Sequence, residues 1–179
     1  IYDDELIDLA MQKGYILTEE DIKNNSFLAS SKLIMKKAID MNASYLKYTR
    51  IYDDELIDLA MQKGYILTEE DIKNNYKLLT SNILMKKAID IDYRYILICN
   101  KDFGTSSEKI SADTIKYAIS KGYLPSKDDV DTNYNWRKNN DIMMVLIEAN
   151  PNLVELSYDY ETLFDFAVAN GYNPSFIGI

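Results

Sequence analysis

The first 25 residues of the chain, Ile1 to Asn25, recur without a change as Ile51 to Asn75, and an internal duplication of that kind restricts the fold more than any single motif does. Over the following 25 positions Leu28, Ser31, Met35 to Asp40 and Tyr45 recur at Leu78, Ser81, Met85 to Asp90 and Tyr95, so 34 of 50 positions match. A third copy is more diverged. Gly122-Tyr123 lies 58 residues after Gly64-Tyr65, and Ile142-Met143 lies 58 after Leu84-Met85, an offset of 50 plus eight inserted residues near Lys101 to Glu108. A partial fourth copy follows, in which Ala167 to Tyr172 repeats the pattern of Ala118 to Tyr123 at a spacing of 49.

Each copy divides again. Leu6-Ile7, Ala10-Met11 and Gly14 have counterparts 28 residues later in Ile34-Met35, Ala38-Ile39 and Asn42. Apolar residues at i, i+1, i+4 and i+5 make one helical stripe, and a small Ala at its centre lets a neighbouring helix approach closely. Gly14, Gly64, Gly122 and Gly171, together with Asn42 and Asn150, stand where a left-handed residue would end each helix. Asp3, Asp4 and Glu5 place negative charge on the first turn and Lys13 places positive charge on the last, both favourable to the helix dipole. Thr18-Glu19-Glu20-Asp21 and Ser126-Lys127-Asp128-Asp129 read as capping boxes opening short helices. Tyr45 to Tyr48 and Leu153 to Leu156 read as single turns packed beneath the longer helices. Tyr93 to Cys99 is rich in β-branched and aromatic residues, yet its register matches the same turn.

A helix pair with one apolar stripe cannot bury that stripe alone, whereas stacked copies bury it continuously. The expected fold is therefore all-α: a helical-repeat solenoid of short helix-turn units with a period of about 50 as two half-repeats. One domain over residues 1–179 is expected, with repeats at 1–50, 51–100 and 109–157, an insertion at 101–108 and a partial repeat at 158–179. The chain begins at Ile1 in the same phase as Ile51 and without Met. It is expected to belong to a longer array or a processed precursor, with Leu6, Ile7 and Met11 leaving the first helix without a polar outer face.

Composition removes much familiar chemistry. With no His in 179 residues, imidazole bases, Ser-His and Cys-His pairs and His-ligated zinc are excluded within this sequence. The single cysteine, Cys99, can form neither an internal disulfide nor a multi-thiolate metal site, and it lies among Ile96, Leu97 and Ile98 as an inert buried thiol. Twenty basic residues against 29 acidic ones give a formal net charge of −9, which opposes phosphate backbones and anionic membranes in the absence of a basic patch. No nucleic-acid or membrane partner and no cofactor is expected.

The pattern Asp-x-Glu-Leu-Ile-x-x-Ala-Met-x-x-Gly, with Met-Lys-Lys-Ala-Ile-x-x-Asn-x-x-Tyr-Leu-x-Tyr, resembles bacterial α-helical repeats of unassigned function and is loosely similar to ankyrin and HEAT-type arrays. Ala167 to Gly171 and Asn150-Pro151-Asn152-Leu153 carry the same likeness. Ankyrin is the poorer match, because its Thr-Pro-Leu-His turn is missing and the period differs. The resemblance implies a non-catalytic scaffold or recognition module and transfers no site residues.

Three motifs have competing readings. The acidic clusters at Asp3 to Asp8 and Glu19 to Asp21, restated at Asp53 to Asp58 and Glu69 to Asp71, fit either a stripe for a basic partner or helix capping and solubility. Asp129 to Asn135 mimics the opening of a calcium loop, but Tyr134 stands where Gly is needed and Asn140 where the bidentate Glu is needed, which favours a cap and loop. Ser106-Ser107-Glu108-Lys109 satisfies Ser-x-x-Lys without the companion motif of that chemistry. Among the aromatics, Tyr15, Tyr65, Tyr123 and Tyr172 recur after the helix-ending Gly and read as framework. Tyr76, Tyr134 and Trp136 differ between copies and are the candidate interface residues, since a repeat scaffold keeps its frame and varies its contact surface. They are expected on one face and partly exposed. The function expected is protein binding without catalysis; the alternative is an acidic inhibitor or DNA mimic for a basic nucleic-acid-binding partner.

Overall fold

A computed structural model of the chain describes residues 4–51, 53–74, 81–98 and 110–174. Their secondary structure is all-α, with no strand among the described residues. Contacts divide the chain into two compact units, 1–78 and 79–179, with the boundary inside the second 50-residue copy.

The first unit runs α1 (Asp4–Gln12), α2 (Glu19–Asn24), α3 (Ser26–Ser30), α4 (Lys32–Met41), a 3-10 helix (Ala43–Tyr48), α5 (Asp54–Gln62) and α6 (Glu69–Asn74). The helix α4 is its centre: it packs against α1, α5 and the 3-10 helix and buries Ile34, Met35, Ala38 and Ile39. Each large apolar side chain so buried contributes about 1.5–3 kcal/mol. Ion pairs line the seam between α4 and α5, with Lys32 3.0 Å from both Asp53 and Glu55, and Lys63 2.6 Å from Asp40. Lys37 of α4 pairs with Asp8 of α1.

The second unit runs α7 (Asn82–Ile91), α8 (Tyr95–Ile98), α9 (Ala112–Ser120), α10 (Lys127–Thr132), α11 (Tyr134–Arg137), α12 (Asn140–Ala149), a second 3-10 helix (Pro151–Leu156) and α13 (Tyr160–Ala169). Here α9 packs against α7 on one side and α12 on the other. Lys121 Nζ lies 2.6 Å from Asp90 and the Tyr117 hydroxyl donates to the same carboxylate at 2.7 Å, while buried Thr114 donates to Asn82 at 2.8 Å. The helix α12 buries Ile142, Met143, Leu146 and Ile147 and packs against α11, α13 and the second 3-10 helix.

Glycine ends the longer helices as the sequence requires. Gly14, Gly64, Gly122 and Gly171 all have φ between +91° and +105°. At the first, Gly14 N–H donates to Met11 O and Tyr15 N–H to Ala10 O, the paired bonds of a Schellman motif, and the latter bond recurs as Tyr65 to Ala60, Tyr123 to Ala118 and Tyr172 to Ala167. The asparagines do something else. Asn42 (φ −151°) and Asn150 (φ −149°) are extended rather than left-handed. The Asn42 side chain instead accepts from Ser44 N–H at 3.0 Å and opens the first 3-10 helix, a local bond that competes with the left-handed conformation. Asn150 directs its amide to Pro125 O at 3.2 Å.

Thr18 and Ser126 form the expected capping boxes, and Thr68 with Asp71 makes the same bonds. The tyrosine after each glycine joins them: Tyr15 donates to Asp21 at 2.8 Å, Tyr65 to Asp71 at 2.8 Å and Tyr123 to Asp129 at 3.1 Å. One carboxylate oxygen thus ties the end of one helix to the start of the next. In the last copy Tyr172 donates to Glu155 instead, at 3.2 Å.

Candidate functional site

Of the three candidate interface residues, Tyr76 lies outside the described residues, and the other two part company. Tyr134 is 50% exposed; Trp136 is 1% exposed. The expectation that Trp136 faces solvent is therefore corrected. Both residues belong to α11, a single turn, where a two-residue step carries the side chain to the opposite side. The indole enters the core beside α12, and the burial an aromatic of that size gains makes the core the favoured side. Its Nε1 and the Oδ1 of buried Asn133 are without hydrogen-bond partners among the described residues, while the Asn133 amide donates to Asp129 O at 2.6 Å.

Tyr134 has a partner that the sequence gave no sign of. Tyr158 follows the second 3-10 helix and is 56% exposed, and the two rings meet edge to face at 5.4 Å and 80°. Backbone bonds hold them there. Tyr158 N–H donates to Arg137 O at 3.1 Å, and the Arg137 Nε donates to Leu156 O at 2.8 Å. The guanidinium then lies 5.0 Å from the Tyr158 ring centre, and Lys138 Nζ lies 4.0 Å from that of Tyr134 and 5.7 Å from that of Tyr158. Asp131 stands 3.5 Å from Arg137 as the local countercharge.

The electrostatics follow from this arrangement. A hydrogen bond from the Lys138 ammonium, then one from Tyr158, stabilises the Tyr134 phenolate and lowers its pKa. Tyr158, which donates to Tyr134, is raised in turn. The result is an exposed patch of two rigid aromatic rings and two cations on a chain of net charge −9. Such a patch offers π faces, phenol hydroxyls and N–H donors to a partner at low conformational cost.

The remaining motifs resolve into structure. The carboxylates of Asp129 and Asp131, which imitate a calcium loop, serve a capping box and the Arg137 pair, and no cluster of metal-ligating side chains occurs among the described residues. Cys99, the Ser106 to Lys109 motif and the insertion at 101–108 lie outside the described residues. No helix among the described residues is long and apolar enough to cross a membrane. Compared with protein-family models, curated proteins and solved structures, the chain matches none.

Proposed function

We propose that the chain is a non-catalytic, protein-binding module whose helices stack as a repeat solenoid, and that it contacts its partner through the Tyr134–Tyr158 patch. The observation that carries this reading is the exposed edge-to-face tyrosine pair flanked by Arg137 and Lys138. Tyrosine and arginine are the residue types that most often concentrate binding energy at protein interfaces. Stacking is supported by the order long helix, two short helices, long helix, 3-10 helix, which occurs at 4–48 and again at 112–156. It is also supported by the Lys–Asp seam common to Lys63–Asp40 and Lys121–Asp90. The DNA-mimic alternative draws less support, because Asp21, Asp71 and Asp129 are engaged in caps and Asp40, Asp53, Glu55 and Asp90 in seams between helices.

A photoreactive residue at position 158 identifies the partner, and calorimetry with that partner then tests the patch. Tyr134→Ala and Tyr158→Ala should each weaken binding by more than about 1 kcal/mol with an unchanged melting temperature. Unchanged affinity in both variants rejects the reading. Loss of binding with added salt but not with these substitutions would favour the acidic alternative.

A further inference from the structure

One sequence occupies two environments in the first unit. The helices α1 and α5 are the same nine residues, yet Leu6 is 59% exposed and Leu56 is fully buried, as are Ile57 and Ala60. The identity of the residues means that the difference lies in the neighbours. The helix α5 has α4 and its 3-10 helix before it in the chain and packs on both, whereas α1 meets α4 by its other side, through Asp8 and Lys37. What remains beside α1 is an open groove of about 690 Å³ lined by Leu6, Ile7, Ala10, Tyr15, Leu17 and Leu28.

Charge gives the same answer. The lysine that closes a helix of this type pairs with an aspartate on the preceding long helix at both places where that helix is described: Lys63 with Asp40 and Lys121 with Asp90. Lys13 is the residue of α1 that corresponds to Lys63, and it has no carboxylate partner among the described residues. The open face therefore combines an apolar groove with a cation at a defined place on its border.

We infer that the groove of α1 is a docking site for one amphipathic helix of the α4 type, supplied by a partner protein. That helix carries an Ile-Met-x-x-Ala-Ile stripe against Leu6, Ile7 and Ala10 and an aspartate directly after the stripe against Lys13. Ile34 to Asp40 is the internal example of this sequence, and its packing on α5 shows the complementarity. The inference rests on the protein-binding reading and adds a second contact surface with a stated partner chemistry.

A synthetic peptide with the sequence of residues 31–50 is the probe, titrated calorimetrically into the full chain. It should bind, and Leu6→Asp should weaken it about tenfold or more without altering the melting temperature, since Leu6 is exposed. Lys13→Glu should also weaken it, and a peptide carrying Asp40→Lys should restore the affinity of that variant. Failure of the peptide to bind, or equal binding to Leu6→Asp, overturns the inference, the second result because it would place the peptide elsewhere, as by displacing α4. A dimer of the chain that Leu6→Asp disperses would assign the face to a second copy and overturns it as well. None of these outcomes involves Tyr134 or Tyr158, so the patch reading stands or falls separately.

Discussion

Trp136 is the largest of the fully buried side chains, and its indole N–H is satisfied by no group among the described residues. Its contribution is therefore shape and apolar area. Trp136→Ala should destabilise the chain by about 3–5 kcal/mol, the usual effect of emptying a large aromatic site. Trp136→Phe should lose much less, because it removes an unpaired donor along with part of the ring. Thermal melts of the two variants measure this; equal losses would show that the N–H is bonded in solution. Tyr134, two positions away, should show the reverse, a change in binding with a stable fold.

The long helices of both units depend on close approach at a small residue. Ala38, Ala60, Ala88 and Ala118 are all fully buried. Ala60→Leu should cost about 1–3 kcal/mol by overpacking, read as a lowered melting temperature, and a neutral result would place α5 in a different rotation. This much was legible in the sequence, because the alanine sits at the centre of an apolar stripe and the stripe recurs. The glycine stops were legible for a similar reason, since a positive φ has few alternatives in residue type. The asparagines were not. Asn tolerates the left-handed region but also caps the following turn through its side chain, and the local sequence does not choose between the two. The pairing of Tyr134 with Tyr158 was not legible either. It joins residues 24 positions apart through the Arg137 carbonyl, and only the packing of the second 3-10 helix brings them together. Trp136 was misplaced because variation between copies marks a filled gap as well as it marks a contact surface.

Across the chain, the titrating groups set a pH window for the fold. Asp21, Asp90 and Glu155 have lowered pKa values, caused first by hydrogen bonds from Thr18, Lys121 and Lys127 respectively. Such groups stabilise the fold above the ordinary carboxylate pKa of about 4, and their contribution is lost as pH falls through the lowered values. Tyr65 and Tyr123 lie on the other side. Burial, with Asp71 and Asp129 as hydrogen-bond partners, raises both above the ordinary phenol value of about 10. Their contribution is complete below pH about 10 and is lost as pH rises through the raised values. Melting temperature should be flat between roughly pH 5 and 9 and fall on both sides. A maximum confined to one side would mean that one of these two sets does not couple to folding.

The identity of α1 and α5 also has a consequence in time. While the chain is collapsing, α4 meets two copies of one helix, and α1 placed on the side that belongs to α5 brings Lys13 to Asp40 just as Lys63 is meant to be. Misassembly between like segments is a characteristic failure of repeat chains, and here it is built in by an unbroken duplication of 25 residues. Refolding from denaturant is expected to show a fast phase and a slower one in which the exchanged helices separate and dock again. Lys13→Glu penalises only the exchanged arrangement, so stopped-flow refolding of that variant should shift amplitude into the fast phase while leaving its rate unchanged. A single phase in the unaltered chain would show that sequence order alone sorts two identical helices before either is committed.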